Sequence, residues 1–186
     1  MHGGVYEIRS DSSNHLLTAI VSVLSARLAH LEEGLILENG VLEVLWHKKA
    51  AVKDLLLARA YAKSVVKYSE MYKIFEDEKA EGISHLTWRG CVWETVEDVC
   101  AEISSREGAI YYSLLSNRNG IPEDVFWTSF RTWRKDEYEA YFKKALPPES
   151  ELSIGDRMEM ANFERSRVYR HARKYYQNIN GVWRLK

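Results

Sequence analysis

The residues with the greatest chemical reach lie near the C-terminal end. Arg167, Arg170, Arg173, Lys174 and Arg184 supply positive charge, and Tyr176 and Trp183 place aromatic rings among them. Cationic side chains neutralise phosphates and rings stack on unpaired bases, so the mixture suits RNA or a single DNA strand. Arg167, Arg170 and Lys174 are spaced three and four apart. On a helix that spacing sets them in one row able to follow successive phosphates. From Asp156 to Lys186 there are eight basic and three acidic residues, a balance of +5; from Glu70 to Glu107 there are four basic and ten acidic, a balance of −6. The chain is polarised although its net charge is only −1, a total that gives the whole molecule no attraction for nucleic acid. The same row suits an acidic protein surface equally well, on a partner, on a second copy in a homo-oligomer, or on this chain's own acidic helix. No recognition-helix motif points to sequence-specific reading of a duplex.

Arg165 stands apart from this row. Met158, Ala161, Arg165, Val168, Ala172, Tyr175 and Ile179 recur at alternating steps of three and four, so they share one helical face. An arginine inside such a stripe must pair or snorkel, because burying it alone costs several kcal/mol. The expectation is a carboxylate partner on a neighbouring helix. Arg165 and His171 also form an Arg–x5–His spacing. This resembles the active-site motif of the HEPN ribonuclease superfamily, small helical bundles that act on RNA without a metal. The resemblance covers seven residues and implies His171 as acid/base and Arg165 as the group that steadies phosphate charge. Ser166 follows Arg165 where many members carry a polar amide.

Other constellations point to structure. Glu94, Glu97, Asp98 and Glu102 cluster on one helical face that could hold Mg²⁺, but Glu107, Glu123 and Asp124 do not provide the matched second acidic pair such a site needs. A solvated acidic face is expected. His85, Cys91 and Cys100 lack zinc-finger spacing. On a helix the two cysteines are separated by about 13 Å of rise, too far for a disulfide between them, so buried reduced thiols and a reducing compartment are expected. No Ser/His/Asp elbow, dinucleotide fingerprint or phosphate-binding Walker loop is present. Neither a metal nor a cofactor is expected.

The elements that would position these residues read as helices. The chain has 186 residues, 46% hydrophobic and 28% charged, with only three prolines, a composition that suits one ordered domain with long helices. Leu16–Leu24 is the only stretch like a signal-peptide core, and Glu7, Arg9 and Asp11 before it deny it the positive flank. No apolar run is long enough to cross a membrane, and a cytoplasmic protein is expected. Asp11 to Asn14 can cap a first helix whose apolar residues run from Leu16 to Leu31. Asn39-Gly40 between two apolar runs predicts a hairpin over 35–46, with a helix–turn–helix-like break as the alternative. Lys48 to about Glu78 lacks glycine and proline and predicts one long helix. Ser84 caps the next, whose stripe is Trp88, Cys91, Val92, Val96, Val99, Cys100 and Ile103. Pro122 with Glu123 and Asp124 opens another helix carrying Phe126, Phe130, Trp133, Tyr141 and Ala145, stopped by Pro147-Pro148. Asp156 opens the last, to about Asn178, with a turn at Asn180-Gly181 into a short tail.

These readings combine into an all-α bundle of five to six helices with a small β-hairpin near residues 35–46. It forms a single domain, 1–186, with an N-terminal helix-plus-hairpin subdomain over 1–46 and a basic C-terminal helix and tail over 156–186. The expected function is non-enzymatic contact with nucleic acid through Arg167, Arg170, Arg173, Lys174, Tyr176, Trp183 and Arg184. The alternatives are a protein–protein adaptor, inhibitor or oligomer subunit, and a metal-independent ribonuclease acting through Arg165 and His171.

Overall fold

The structure is a computed structural model. It describes residues 45–78 and 84–186. The chain divides into two compact units, Met1–Leu42 and Glu43–Lys186, and the described residues all belong to the second. The expected first helix and most of the 35–46 hairpin lie outside the described residues; Leu45 and Trp46, at the end of that hairpin, are helical.

The described chain is mostly helical, with two small sheets of two strands each. In order it forms α1 (Lys49–Tyr61), β1 (Val66–Lys67), α2 (Tyr68–Ile74), α3 (His85–Ile103), β2 (Leu115–Ser116), α4 (Asp124–Phe142), α5 (Ile154–Tyr175), β3 (Tyr176–Ile179) and β4 (Val182–Leu185). Short 3₁₀ turns occupy Glu76–Glu78, Tyr111–Leu114 and Glu149–Glu151.

The long helix expected from Lys48 to Glu78 is in fact two helices with a strand between them. No glycine or proline breaks it. Lys63 adopts a left-handed φ of 54°, and the Ser64 and Lys63 amides return to the carbonyls of Arg59 and Ala60 at 2.9 and 3.2 Å. This is a Schellman closure with lysine in the place glycine usually takes. The β-branched Val65 and Val66 follow, and Val66-Lys67 pair in parallel with Leu115-Ser116. Strand therefore occurs outside the 35–46 hairpin that the sequence suggested. The reason is a tertiary pairing across 49 residues that no local pattern announces.

The cap of α3 is as expected. The Ser84 hydroxyl accepts from the Thr87 amide at 3.0 Å, and the whole Trp88–Ile103 stripe is buried. The last helix starts two residues before Asp156. Ser153 is its N-cap, and Asp156 closes a reciprocal capping box with it. It ends at Tyr175 rather than near Asn178, because Tyr176–Ile179 turn into a hairpin with Val182–Leu185. Asn180 and Gly181 both have positive φ, 54° and 88°, the backbone of the tight hairpin turn that Asn-Gly favours.

Helix α4 stops at Phe142, before the prolines, with Lys143 left-handed. Its buried face is Phe126, Trp127, Phe130, Arg134 and Tyr138. Arg134, not Trp133, takes the core position. Helix α1 packs on α3 and α5, and the Tyr111–Leu114 turn lies among α1, α3, α4 and α5. The core there is Leu56, Leu57 and Ala60 against Val92, Val96 and Cys100, with Val168 and Ala172 opposite. Cys91 and Cys100 are both buried in the face of α3. No helix among the described residues is long and apolar enough to cross a membrane.

Candidate functional site

The basic row of α5 faces a cleft of ≈ 630 Å³ whose opposite wall is the turn after α3. Arg167, Arg170, His171, Lys174 and Tyr175 form the helical side; Ser105, Glu107 and Gly108 form the turn. The turn closes on itself. Ser105 N–H donates to the Ala109 carbonyl at 3.1 Å, Gly108 N–H donates to Ser105 Oγ at 2.9 Å, and Tyr111 N–H donates to Ser104 Oγ at 2.9 Å. Gly108 leaves room for its neighbours: a Cβ there would press on Ser105 Oγ and lie 2.9 Å from His171 Nε2, so those side chains would have to shift.

A buried ion pair fastens this wall to the helices. Arg134 on α4 and Glu164 on α5 are both fully buried, with Nε to Oε2 at 2.9 Å. The terminal nitrogens donate to carbonyls of the turn, Arg106, Gly108 at 3.2 Å and Ser105 at 3.4 Å, and also to the Trp133 carbonyl at 3.2 Å and Glu164 Oε1 at 3.5 Å. The other Glu164 oxygen accepts the Ile110 amide at 2.8 Å. A planar fork with five donors suits this mixed task of one carboxylate and several carbonyls. Burial still holds the Glu164 carboxyl above its ordinary range, against the pull of Arg134 and the Ile110 amide.

His171 is fixed from below. Its Nδ1 lies 3.1 Å from the Tyr111 hydroxyl, and the ring packs edge-on to Tyr111 at 5.8 Å. Burial, and then the nearby Lys174 charge, depress the imidazole below its ordinary value. Burial raises the Tyr111 phenol well above its own. The tyrosine therefore keeps its proton, and its surroundings favour the neutral form of the histidine. Nε2 lies on the Gly108 side, toward the cleft, and carries the ring proton in the tautomer whose Nδ1 accepts from the Tyr111 hydroxyl.

The cations of the cleft differ in their neighbours. Arg167 pairs with Glu137 on α4 and lies 3.8 Å from Glu164. Lys174 Nζ sits 4.8 Å from the centre of the Tyr175 ring. Among the described residues, no carboxylate comes within ion-pair distance of Arg170 or Lys174. The acidic face of α3 does not reach them. Its Asp98 and Glu102 are held at 2.8 and 2.7 Å by Lys49 and Lys53 of α1.

The other residues expected to bind nucleic acid lie elsewhere. Arg173 points to α1, donating to the Tyr61 carbonyl at 3.0 Å. Trp183 packs on Tyr61 with ring centres 4.7 Å apart. Tyr176 is 7% exposed and cannot offer a ring face to a base. Arg184 is exposed on β4, opposite Gln177. The ring available at the cleft is Tyr175, 43% exposed, which the sequence placed on the apolar stripe.

Arg165 and His171 are not brought together. Arg165 is buried, but its partner is not the expected carboxylate. Nε donates to the Ser113 carbonyl at 2.7 Å, and the terminal nitrogens donate to the Gly120 carbonyl at 2.8 Å and Asn162 Oδ1 at 3.2 Å. Five residues matter to the site that sequence reasoning did not single out: Arg134, Glu164, Tyr111, Ser105 and Gly108. The one local signal was Ser104-Ser105 before Gly108, a turn composition. No known protein family, curated protein or solved structure matches this chain.

Proposed function

We propose that the protein binds RNA or single-stranded DNA without chemistry, through the cleft between α5 and the turn at 105–109. The observation that supports this is convergence: Arg167, Arg170 and Lys174 line one cleft together with His171 and Tyr175. Arg170 and Lys174 have no carboxylate partner among the described residues. A phosphate would lie between them with His171 Nε2–H as a neutral donor, and Tyr175 would offer a face to the adjoining base. Arg167, already paired with Glu137, adds less. Arg173, Arg184 and Trp183 would contribute only peripheral contacts.

Each phosphate neutralised on a single strand gives a salt slope of about −0.7, so two unpaired cations predict a slope near −1.4. The experiment is titration of labelled RNA and DNA strands of several lengths over a range of salt. Arg170→Ala with Lys174→Ala is expected to flatten the slope by about that amount across all sequences, with unchanged helicity. Failure of every strand to bind at about 100 mM salt, where exposed charges still act over roughly 10 Å, would remove this reading in favour of an acidic protein partner for the same row. The presence of His171 in the cleft favours one second reading, metal-independent strand cleavage. There Arg170, rather than Arg165, would meet the phosphate, and cleavage would vanish in His171→Ala.

A further inference from the structure

A second cavity, of ≈ 290 Å³, lies at the start of α4, lined from α2, α3, the Tyr111–Leu114 turn and α4 itself. Its lining includes four aromatic rings: Tyr68, Trp93, Tyr112 and Phe126. Phe126 and Tyr112 are buried, and Leu115 beside them is buried too, so these form the floor. Tyr68 and Trp93 are half-buried and meet edge to face with centres 4.8 Å apart. The polar atoms of these rings are already engaged within the protein. Trp93 Nε1–H donates to the Tyr72 hydroxyl at 2.6 Å. The Tyr112 hydroxyl donates to the Glu97 carbonyl at 2.9 Å. The Tyr68 hydroxyl meets the Glu123 backbone. What the rings leave for an occupant is chiefly carbon and π-density.

Three exposed carboxylates, Glu97, Glu123 and Asp124, complete the lining. No lysine or arginine among the described residues forms an ion pair with any of them. Asp124 opens α4, where the helix dipole answers part of its charge, but Glu97 has no such support. Desolvation, and then neighbouring Glu94, hold its carboxyl above the ordinary range. An aromatic floor beneath a ring of negative charge attracts cations. A cation that brings no N–H donors loses least on entering a pocket whose rings offer few acceptors.

We propose that this cavity binds a quaternary ammonium group, presented on a small molecule or on a trimethylated lysine side chain. The volume suits a headgroup or one side chain rather than a nucleotide, being at the low end of ligand pockets. The site is distinct from the α5 cleft and does not depend on the reading given for it.

Calorimetric or NMR titration of the whole protein with choline, and with its neutral isostere carrying carbon in place of the charged nitrogen, tests the idea. Choline is expected to bind with a Kd of about 1 mM or tighter. The isostere is expected to bind about tenfold more weakly, within the roughly two- to thirtyfold that cation–π attraction confers. Val125→Lys, at the exposed rim, should fill the cage with the protein's own cation and abolish binding without disturbing the core. Glu97→Gln should weaken binding several-fold while the fold is retained. A trimethyllysine peptide that binds more tightly than choline assigns the group to a protein source; one that binds no better assigns it to a small molecule. Either result upholds the cage. Equal affinity for choline and its isostere would overturn the proposal, as would no binding of choline or tetramethylammonium at tens of millimolar, or binding unaffected by Val125→Lys.

Discussion

Replacing Arg134 should be among the most damaging single changes to the fold, and its effect should depend on pH. In Arg134→Met the chain of the side chain is kept and the guanidinium is lost. Three carbonyls of the 105–108 turn lose a donor, and Glu164 is left fully buried without its hydrogen-bonded counter-ion, with only Arg167 at 3.8 Å to answer its charge. Removing one member of a buried pair costs about 3–5 kcal/mol. For a chain of this length that lowers the melting temperature by about 6–20 °C. The Glu164 carboxyl already stands above its ordinary range because of burial, with Arg134 the leading influence holding it down. Losing Arg134 raises it further. A raised carboxyl binds its proton more tightly folded than unfolded, so the variant gains stability as pH falls and loses it as pH rises through the raised value. The deficit against the parent chain should therefore be largest near pH 8 and shrink toward pH 5. Denaturant unfolding followed by helical dichroism at several pH values measures it. Pairing the change with Glu164→Leu should recover part of the loss, with a coupling of about 0.5–3 kcal/mol. A deficit constant with pH, together with simple additivity in the double variant, would show that packing and not charge sets the loss.

Arg165→Ala should destabilise by about 2–4 kcal/mol, because the Ser113 and Gly120 carbonyls lose their donors. Arg165→Lys should recover little, since a single ammonium cannot span both carbonyls; a lysine variant with the parent's denaturant midpoint would show that a point charge suffices. His171 should titrate below its ordinary value by NMR, and Lys174→Ala should move it upward, since burial and then the lysine charge depress it. Its depressed value makes its contribution to stability complete above the unfolded value near 6.5 and lost as pH falls through the folded one; a midpoint at or above 6.5 in the parent chain contradicts the buried placement.

What the sequence makes legible here is local. The α3 stripe, the Ser84 cap and the Asn180-Gly181 turn all follow from residues within a few positions of one another. The row of Arg167, Arg170 and Lys174 was legible for the same reason, being a helical spacing. The break after Tyr61 was not. Its signal is a lysine that tolerates a left-handed φ because two backbone hydrogen bonds and the pairing with Leu115-Ser116 hold it there. Arg134 was hidden more deeply. The apolar spacing of α4 pointed to Trp133 and not to its neighbour Arg134, and only the approach of Glu164 and three carbonyls makes burial of the arginine favourable. The same lack of tertiary knowledge turned the expected Arg165 carboxylate into two carbonyl oxygens. An arginine in an apolar stripe does announce burial, but its partner is set by whatever backbone the fold brings near.

The distribution of ion pairs bears on which partner the basic row awaits. The sequence left open a docking of α5 on the chain's own acidic helix. Within 45–78 and 84–186 it does not, because Asp98 and Glu102 of α3 are matched by Lys49 and Lys53 on α1. Those exposed pairs contribute little stability individually, but they satisfy the acids that would otherwise compete for Arg170 and Lys174. The acids that α5's row does meet among the described residues, Glu137 and Glu164, both lie at the Arg167 end. What remains is two unpaired cations, a neutral imidazole held by Tyr111 and an exposed ring, all on one side of one cleft. A carboxylate-bearing protein face would be met well by two cations alone. A histidine N–H serves a carboxylate as readily as a phosphate, so the exposed Tyr175 ring, with its use in stacking on the base that follows a phosphate, is what favours the strand proposed above.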